Sequence, residues 1–300
     1  MSIRLFLLCF FTLWALVVQA MGGVREFPEE RGYDANDRGF SKYAAPSLWH
    51  TRKIVLTFDD GPSAIETPRL LDTLAKYGVK ATFFMLGSRI TAETLPIVER
   101  MLREGHLVAA HSWEHENSNA QSEAEFKLSL KRTLLVLQSA MASAGVAQNE
   151  VYFRFPFGAY GFRHGYHHMN AIRELSNELY GGNCINFVFW NIDTTDWLPG
   201  MTPAEILHNV EVNVDGGVGV THKAERGADG KIRYVKEKYR LSDPDEGGVV
   251  LMHDIHTRSV DAVESILQYA EKNHVEIVPL NTVKEYEFGE KVCGLKARVR

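Results

Sequence analysis

Lys53-Ile54-Val55-Leu56-Thr57-Phe58-Asp59-Asp60-Gly61-Pro62 decides the fold. A short apolar run, residues 54–58, ends on two carboxylates and a Gly-Pro turn. The same design recurs along the chain: 107–110 ends at His111, 151–155 carries Arg154, 185–192 ends at Asp193, and 249–252 ends at His253. Runs 81–86 and 275–278 bring the strand candidates to seven, and helical signals separate them. Thr67-Pro68 reads as cap and first-turn proline of a helix that stops at Gly78. Residues 91–105 place Leu95, Val98 and Leu102 on one helical face. Ser122 with Glu125 is a capping box, and the helix it opens repeats Phe126, Leu130, Leu134, Leu137 and Met141 at helical spacing. Helices over 168–180, from Thr202-Pro203-Ala204-Glu205, and over 259–271 follow. Strands alternating with helices build right-handed βαβ units on a parallel sheet. The expected fold is α/β, an irregular seven-stranded (β/α) barrel in a single domain. The C-terminal strand ends of such a barrel converge on one face, where its chemistry is done.

The flanks read differently. Arg4, an apolar run over 5–18 and the small-residue site Val18-Gln19-Ala20 form a secretory signal peptide over 1–20. That run is shorter than the roughly 18–20 apolar residues of a membrane span. The protein is therefore expected to be exported, periplasmic or secreted, with no stable membrane span after cleavage. Residues 21–50 read as an N-terminal arm, 51–290 as the domain and 291–300 as a basic tail. Of 33 basic residues Arg4 leaves with the leader, and against 38 acidic ones the mature chain carries a formal charge of −6. No basic excess speaks for nucleic acid. Of three cysteines, Cys184 and Cys293 remain, and an exported chain can pair them. Residues 215–247 break the alternation. Asp229-Gly230 between two alternating runs signals an inserted β-hairpin.

The strand ends carry groups suited to metal-assisted hydrolysis. Asp59 and Asp60 crowd two carboxylates together, so one calls for a cation. His111 and His115, at i and i+4, present two imidazoles to one point if a helical turn holds them. With a carboxylate they leave open positions for water and substrate. Arg154 can hold one of the aspartates ionised, and Pro156 sets a turn that lets the Phe157 N–H face an oxyanion. His253 beside Asp193 would keep its proton at neutral pH and donate it to a leaving amine. Trp197 and Leu251 can form an apolar cup. The run Arg163-His164-Gly165-Tyr166-His167-His168 reads as solvated histidines at a helix start, with a second metal site as the lesser alternative.

The segments TFDDGP, HSWEH, RFPFG, DTTDW and VVLMHD, in this order, resemble the five motifs of the polysaccharide deacetylases, carbohydrate esterase family 4 or the NodB-homology domain. The resemblance spans residues 53–279. It implies a divalent metal, zinc first and Co2+, Ni2+ or Mn2+ as alternatives, on Asp60, His111 and His115. It implies Asp59 as general base tuned by Arg154, and His253 paired with Asp193 as general acid. Phe157 N–H would stabilise the oxyanion, while Trp197 and Leu251 receive the acetyl methyl. The expected substrate is a cell-wall glycan, peptidoglycan N-acetylglucosamine before chitin oligosaccharides, poly-N-acetylglucosamine or xylan. A glycosidase is the enzymatic alternative, although adjacent aspartates suit carboxylates placed across a bond poorly. A carbohydrate-binding module on an inactive scaffold is the non-enzymatic one.

Overall fold

β1 (Lys53–Asp59) is the centre of the sheet, and its Ile54, Val55, Leu56 and Phe58 are buried. A strand covered on both faces needs such a near-continuous apolar run, here interrupted only by Thr57, whose hydroxyl bonds Val250 O at 2.5 Å. In this computed structural model, residues 45–160, 167–289 and 291–296 are described. The leader at 1–20, the arm up to residue 44, and residues 161–166, which include the first four positions of the histidine-rich run, lie outside them.

β1 pairs in parallel with β2 (Thr82–Met85) on one side. β3 (Leu107–Ala110), β4 (Val151–Phe153) and β5 (Ile185–Phe187) extend that side. On the other side of β1 lie β9 (Gly248–His253) and then β6 (Ile192–Asp193). The order is β5-β4-β3-β2-β1-β9-β6, all parallel, and β10 (Glu276–Ile277) pairs with the start of β1. The curled sheet is a half-barrel, open between β5 and β6.

The apolar run 185–192, expected to be one strand, spans that opening as two. Val188 N still bonds Phe153 O on the β4 side at 2.9 Å, whereas Asn191 N bonds Val249 O on the β9 side at 3.3 Å. The chain crosses from one margin of the sheet to the other within four residues. Asn191 anchors the far side, donating to Gly247 O at 3.0 Å and accepting from Val249 N at 2.8 Å.

Helices cover the outer face. α1 (Glu66–Tyr77) ends at Gly78 with φ 66°, a left-handed cap that glycine takes without penalty. Thr67 is not its cap; the hydroxyl bonds Asp254 instead. α2 (Leu95–Arg103) starts later than expected because Thr91 and Thr94 form a turn of their own. α3 (Glu123–Ala144) and α5 (Pro203–Asp215) both open with complete capping boxes, on Ser122/Glu125 and Thr202/Glu205. The stripe Phe126, Leu130, Leu134, Leu137 and Met141 is buried, as its spacing requires. α4 (His167–Tyr180) and α6 (Thr257–Lys272) complete the layer.

The expected insertion is an antiparallel hairpin, β7 (Gly217–Arg226) with β8 (Ile232–Leu241), turning at Asp229-Gly230. Cys184 and Cys293 form a disulfide, Cα–Cα 5.8 Å. Residues 291–296, the start of the segment read as a basic tail, pack against the domain: Cys293 N bonds Asn149 at 2.8 Å and Lys296 N bonds Leu179 O at 2.8 Å. At the other end Ala45 and Leu48 are buried, and Ser47 bonds Glu285. Among the described residues no helix is long and apolar enough to cross a membrane.

Candidate active site

The C-terminal end of β1 solves a geometric problem. Successive side chains of a strand point to opposite faces, yet Asp59 and Asp60 meet the same group of residues. Asp60 takes φ 73°, a left-handed conformation that aspartate tolerates. Asp60 N then bonds Phe84 O at 3.1 Å, and Gly61 O accepts from Leu86 N at 3.0 Å, which fixes the bend. Gly61 has no substitute there: a Cβ would lie 2.3 Å from Asp254 Oδ2.

Asp59 is buried. Its Oδ1 accepts from Arg154 Nη1 at 2.7 Å, and Oδ2 lies 3.6 Å from His111 Nε2. Arg154 is fully buried, with its guanidinium 4.0 Å above the Phe84 ring. Nη1 also bonds Thr57 Oγ1 at 2.9 Å, and Nε bonds Val188 O at 3.1 Å in the segment that crosses the barrel opening. Burial raises the Asp59 carboxyl above its usual range, against the pull of Arg154 and His253 toward the ionised form.

His111 and His115 converge on Asp60, though no helical turn holds them. β3 ends at Ala110, and the chain doubles back through Ser112 (φ 69°) to His115 (φ 61°). Ser112 Oγ accepts from His115 N at 3.1 Å; Gly87 N and Ser88 N bond Ser112 O and Trp113 O at 3.0 Å each. The i, i+4 spacing therefore works through a pinned loop. Arg132 stacks on the loop's Trp113 ring at 3.8 Å. Asp60 Oδ1 lies 3.5 Å from His111 Nε2 and 3.4 Å from His115 Nε2. Ligand bonds of ~2.0–2.1 Å in a tetrahedron put donor atoms about 3.3–3.4 Å apart, so the trio fits a divalent ion. Asp60 Oδ1 is buried with no hydrogen-bond partner among the described residues, as a ligand oxygen would be. His111 Nδ1 lies 2.9 Å from Arg154 O, which as acceptor places the proton on Nδ1 and leaves Nε2 free. Burial pushes His111 down to about 3, so it is neutral at pH 7, as a ligand must be.

His253 ends β9 and pairs in register with Asp59 across two neighbouring strands. Its partner is Asp196, a correction to the pairing expected with Asp193. His253 Nδ1 lies 2.8 Å from Asp196 Oδ1, and His253 N donates to Asp196 Oδ2 at 2.7 Å. Ser259 Oγ adds a bond at 2.5 Å, and Arg258 Nε holds the Asp196 carbonyl at 2.6 Å. Asp193, at the end of β6, turns back to accept from Thr195 N at 2.7 Å. Thr195 takes φ 59°, and that turn swings Asp196 beneath β9. Burial by itself would lower the His253 value, but Asp196, Asp60 and Asp59 outweigh it and raise it to about 10. Burial raises Asp193 as well, with nearby His253 and His222 opposing.

The residues expected to line a pocket fall around this centre. Leu251 is buried in β9, in register with Asp193. Trp197 follows Asp196 and meets the hairpin, its ring 4.5 Å from that of His222. Phe157, at φ 60° in the Pro156–Gly158 turn, is 63% exposed and stands 4.4 Å from His115, edge to face. His168 belongs to the core: it is buried, bonds Ser118 O and packs on Phe126. Asp196 and Asp254 are the residues that the expectations missed. The signal for Asp196 was its place before Trp197. Asp254 beside His253 is buried and raised to about 7 by that burial, with Thr67 as its partner.

The arrangement places a buried carboxylate, a carboxylate-paired imidazole and a metal-type trio on one face. Residues 50–178 match the sequence profile of the family described as polysaccharide deacetylase. A peptidoglycan-N-acetylglucosamine deacetylase of Bacillus cereus is 30% identical over 233 residues, covering 75% of this chain and 68% of that protein. Peptidoglycan-N-acetylglucosamine deacetylase PgdA of Listeria monocytogenes is 30% identical over 82% of this chain, which spans only 41% of that longer protein. A family 4 acetyl xylan esterase structure from Clostridium thermocellum, in complex with a cobalt ion, has TM-score 0.55 at 25% identity, covering 77% of this chain and 89% of that one. Strand ends, donor trio and relatives agree, and the chain belongs to the polysaccharide deacetylase family.

Proposed function

We propose that this chain hydrolyses the N-acetyl group of an N-acetylated amino-sugar polysaccharide, releasing acetate, with peptidoglycan N-acetylglucosamine as the leading substrate. The observation that carries the reading is the register of Asp59 with His253 beside Asp60, His111 and His115. Asp60, His111 and His115 would hold a divalent ion, zinc first. Such an ion supplies Lewis acidity that polarises the amide carbonyl and makes water a better nucleophile. Asp59, held by Arg154, takes the proton as water adds to the carbonyl carbon. The Phe157 N–H receives the charge that grows on the carbonyl oxygen. His253, kept protonated by Asp196, gives its proton to the sugar nitrogen as the C–N bond breaks. Leu251 and Trp197 seat the acetyl methyl. Asp193 shapes the turn that delivers Asp196 and adds negative charge near His253. The signal-type sequence at 1–20 and the cell-wall names of the relatives support an exported enzyme acting on the envelope.

A substrate panel tests this. Purified, zinc-loaded protein is incubated with peptidoglycan, chitin oligosaccharides and acetylated xylan. Acetate and new free amines on an N-acetylated glycan are the expected products, with no new reducing ends. Reducing ends without acetate would identify a glycosidase and overturn the reading, as would binding without any product.

A further inference from the structure

The hairpin presents a surface that the deacetylase chemistry leaves unused. β7 has ten residues, about 33 Å of strand at ~3.3 Å each. α5 has thirteen, about 20 Å of helix at ~1.5 Å each. The two run side by side in opposite directions. Val218 O meets His208 Nε2 at 3.0 Å, Val220 N meets Asn209 Oδ1 at 2.8 Å, and Lys236 reaches Glu205 in the first turn of α5 at 2.6 Å. α5 begins on the C-terminal side of β6, so the hairpin tip overshoots it by on the order of 10 Å and stands above the mouth of the site.

Strand alternation divides the hairpin into two faces. The face turned to Trp197 carries His222 and Tyr234 with four bases, Arg226, Lys236, Lys238 and Arg240, and no acid; Glu225 and Glu237 lie on the other. Tyr234 is 53% exposed, its ring 5.7 Å from Trp197 and 5.3 Å from His222. The three rings, packed edge to face, form an aromatic cluster at the candidate acetyl pocket, with Tyr234 on its exposed side. Lys236 is paired with Glu205, while Lys238 and Arg240 have no acidic partner among the described residues. This basic face belongs to a chain of formal charge −5, which would otherwise repel an acidic polymer.

We infer that this face is a binding wall for a carboxylate-bearing glycan chain, continuing outward from the sugar that enters the pocket. The inference rests on the deacetylase reading and narrows its substrate. An apolar sugar face packs on the exposed Tyr234 ring, which Trp197 and His222 hold edge to face, and carboxylates along the strand meet the bases. A neutral glycan makes only the first of these contacts.

Binding tests the wall without turnover. Tryptophan fluorescence of the metal-free whole protein is titrated with an N-acetylglucosamine hexamer and with peptidoglycan glycan fragments of the same length. Wild type should bind the acidic fragment more tightly, with an advantage that shrinks as salt rises. Tyr234→Ala should weaken both ligands about three- to tenfold, the scale of one aromatic contact. Tyr234→Leu, which keeps bulk, should weaken them too. The pair Lys238→Glu and Arg240→Glu should abolish the preference and leave hexamer affinity unchanged. In turnover, Tyr234→Ala should raise KM on the long strand with kcat retained. Equal binding of both probes by wild type at low salt would overturn the proposal. So would unchanged affinities in correctly melting variants, which would assign the face to structure or to a protein partner. A wild type that releases no acetate yet binds as expected would sink the deacetylase reading and leave the wall in place.

Discussion

His253 ends β9 with its Nδ1 2.8 Å from Asp196 Oδ1. The imidazole is buried, which by itself would strip its proton, yet three carboxylates keep it cationic up to about pH 10. Asp196→Asn removes the nearest of these, so burial should prevail and the His253 value fall. The alkaline limb of kcat/KM should then move toward acid in Asp196→Asn and move far less in Asp193→Asn. An equal shift in both would show that the contact to Asp196 is not special. A divalent ion beside Asp60 offsets part of this negative field, so the loaded enzyme should lose activity below pH 10. Folding stability follows the same sign. The folded state binds the His253 proton more tightly than the unfolded chain, whose value is near 6.5. That stabilisation is complete below about 6.5 and is lost as pH rises toward 10. Melting of metal-free protein should therefore decline across pH 7–10, and more gently in His253→Gln. A parallel decline in the two proteins would refute the linkage. The sequence placed His253 in the site but named the wrong partner. A strand end points to Asp193, and only the left-handed Thr195, invisible to any alternation rule, brings Asp196 under β9.

The secondary-structure elements were legible where capping chemistry or strict periodicity marked them. The Thr202/Glu205 box opens α5, and the Ser122/Glu125 box opens α3. Thr202→Ala should destabilise the protein by about 1 kcal/mol. Because Glu205 also ties α5 to Lys236 on β8, the hairpin should loosen with it. Hydrogen exchange would then quicken in β7 and β8 before β1; uniform quickening would contradict a local coupling. Legibility stopped where one pattern serves two structures. A mostly apolar run such as 185–192 says that a segment is covered on both faces, not which neighbour it pairs with, so the switch from β4 to β9 was hidden. The i, i+4 histidines suggested a helix, yet a loop pinned by Ser112 and by Gly87 and Ser88 achieves the same convergence.

At the scale of the whole molecule, two devices hold the half-barrel together. Arg154 joins β1, the crossing segment and the His111 ring through its side chain and carbonyl. The Cys184–Cys293 bond, 109 residues apart in sequence, ties the start of β5 to the C-terminal segment. Closing a loop of that size is worth up to about 4–5 kcal/mol on the chain-entropy account. Reduction should lower the melting temperature clearly while acetate release at 25 °C persists; early loss of activity would mean that the bond also shapes the site. In the proposed reaction the two adjacent carboxylates divide the work, Asp59 taking the proton and Asp60 holding the ion. Zinc titration calorimetry on wild type, Asp59→Asn and Asp60→Asn, read beside acetate release, separates the two roles. Asp59→Asn should bind zinc like wild type with kcat reduced about 10²–10⁴-fold, the scale of one acid–base group, and Asp60→Asn should bind zinc weakly and recover part of its activity in excess metal. Zinc lost in Asp59→Asn and kept in Asp60→Asn would contradict the assignment.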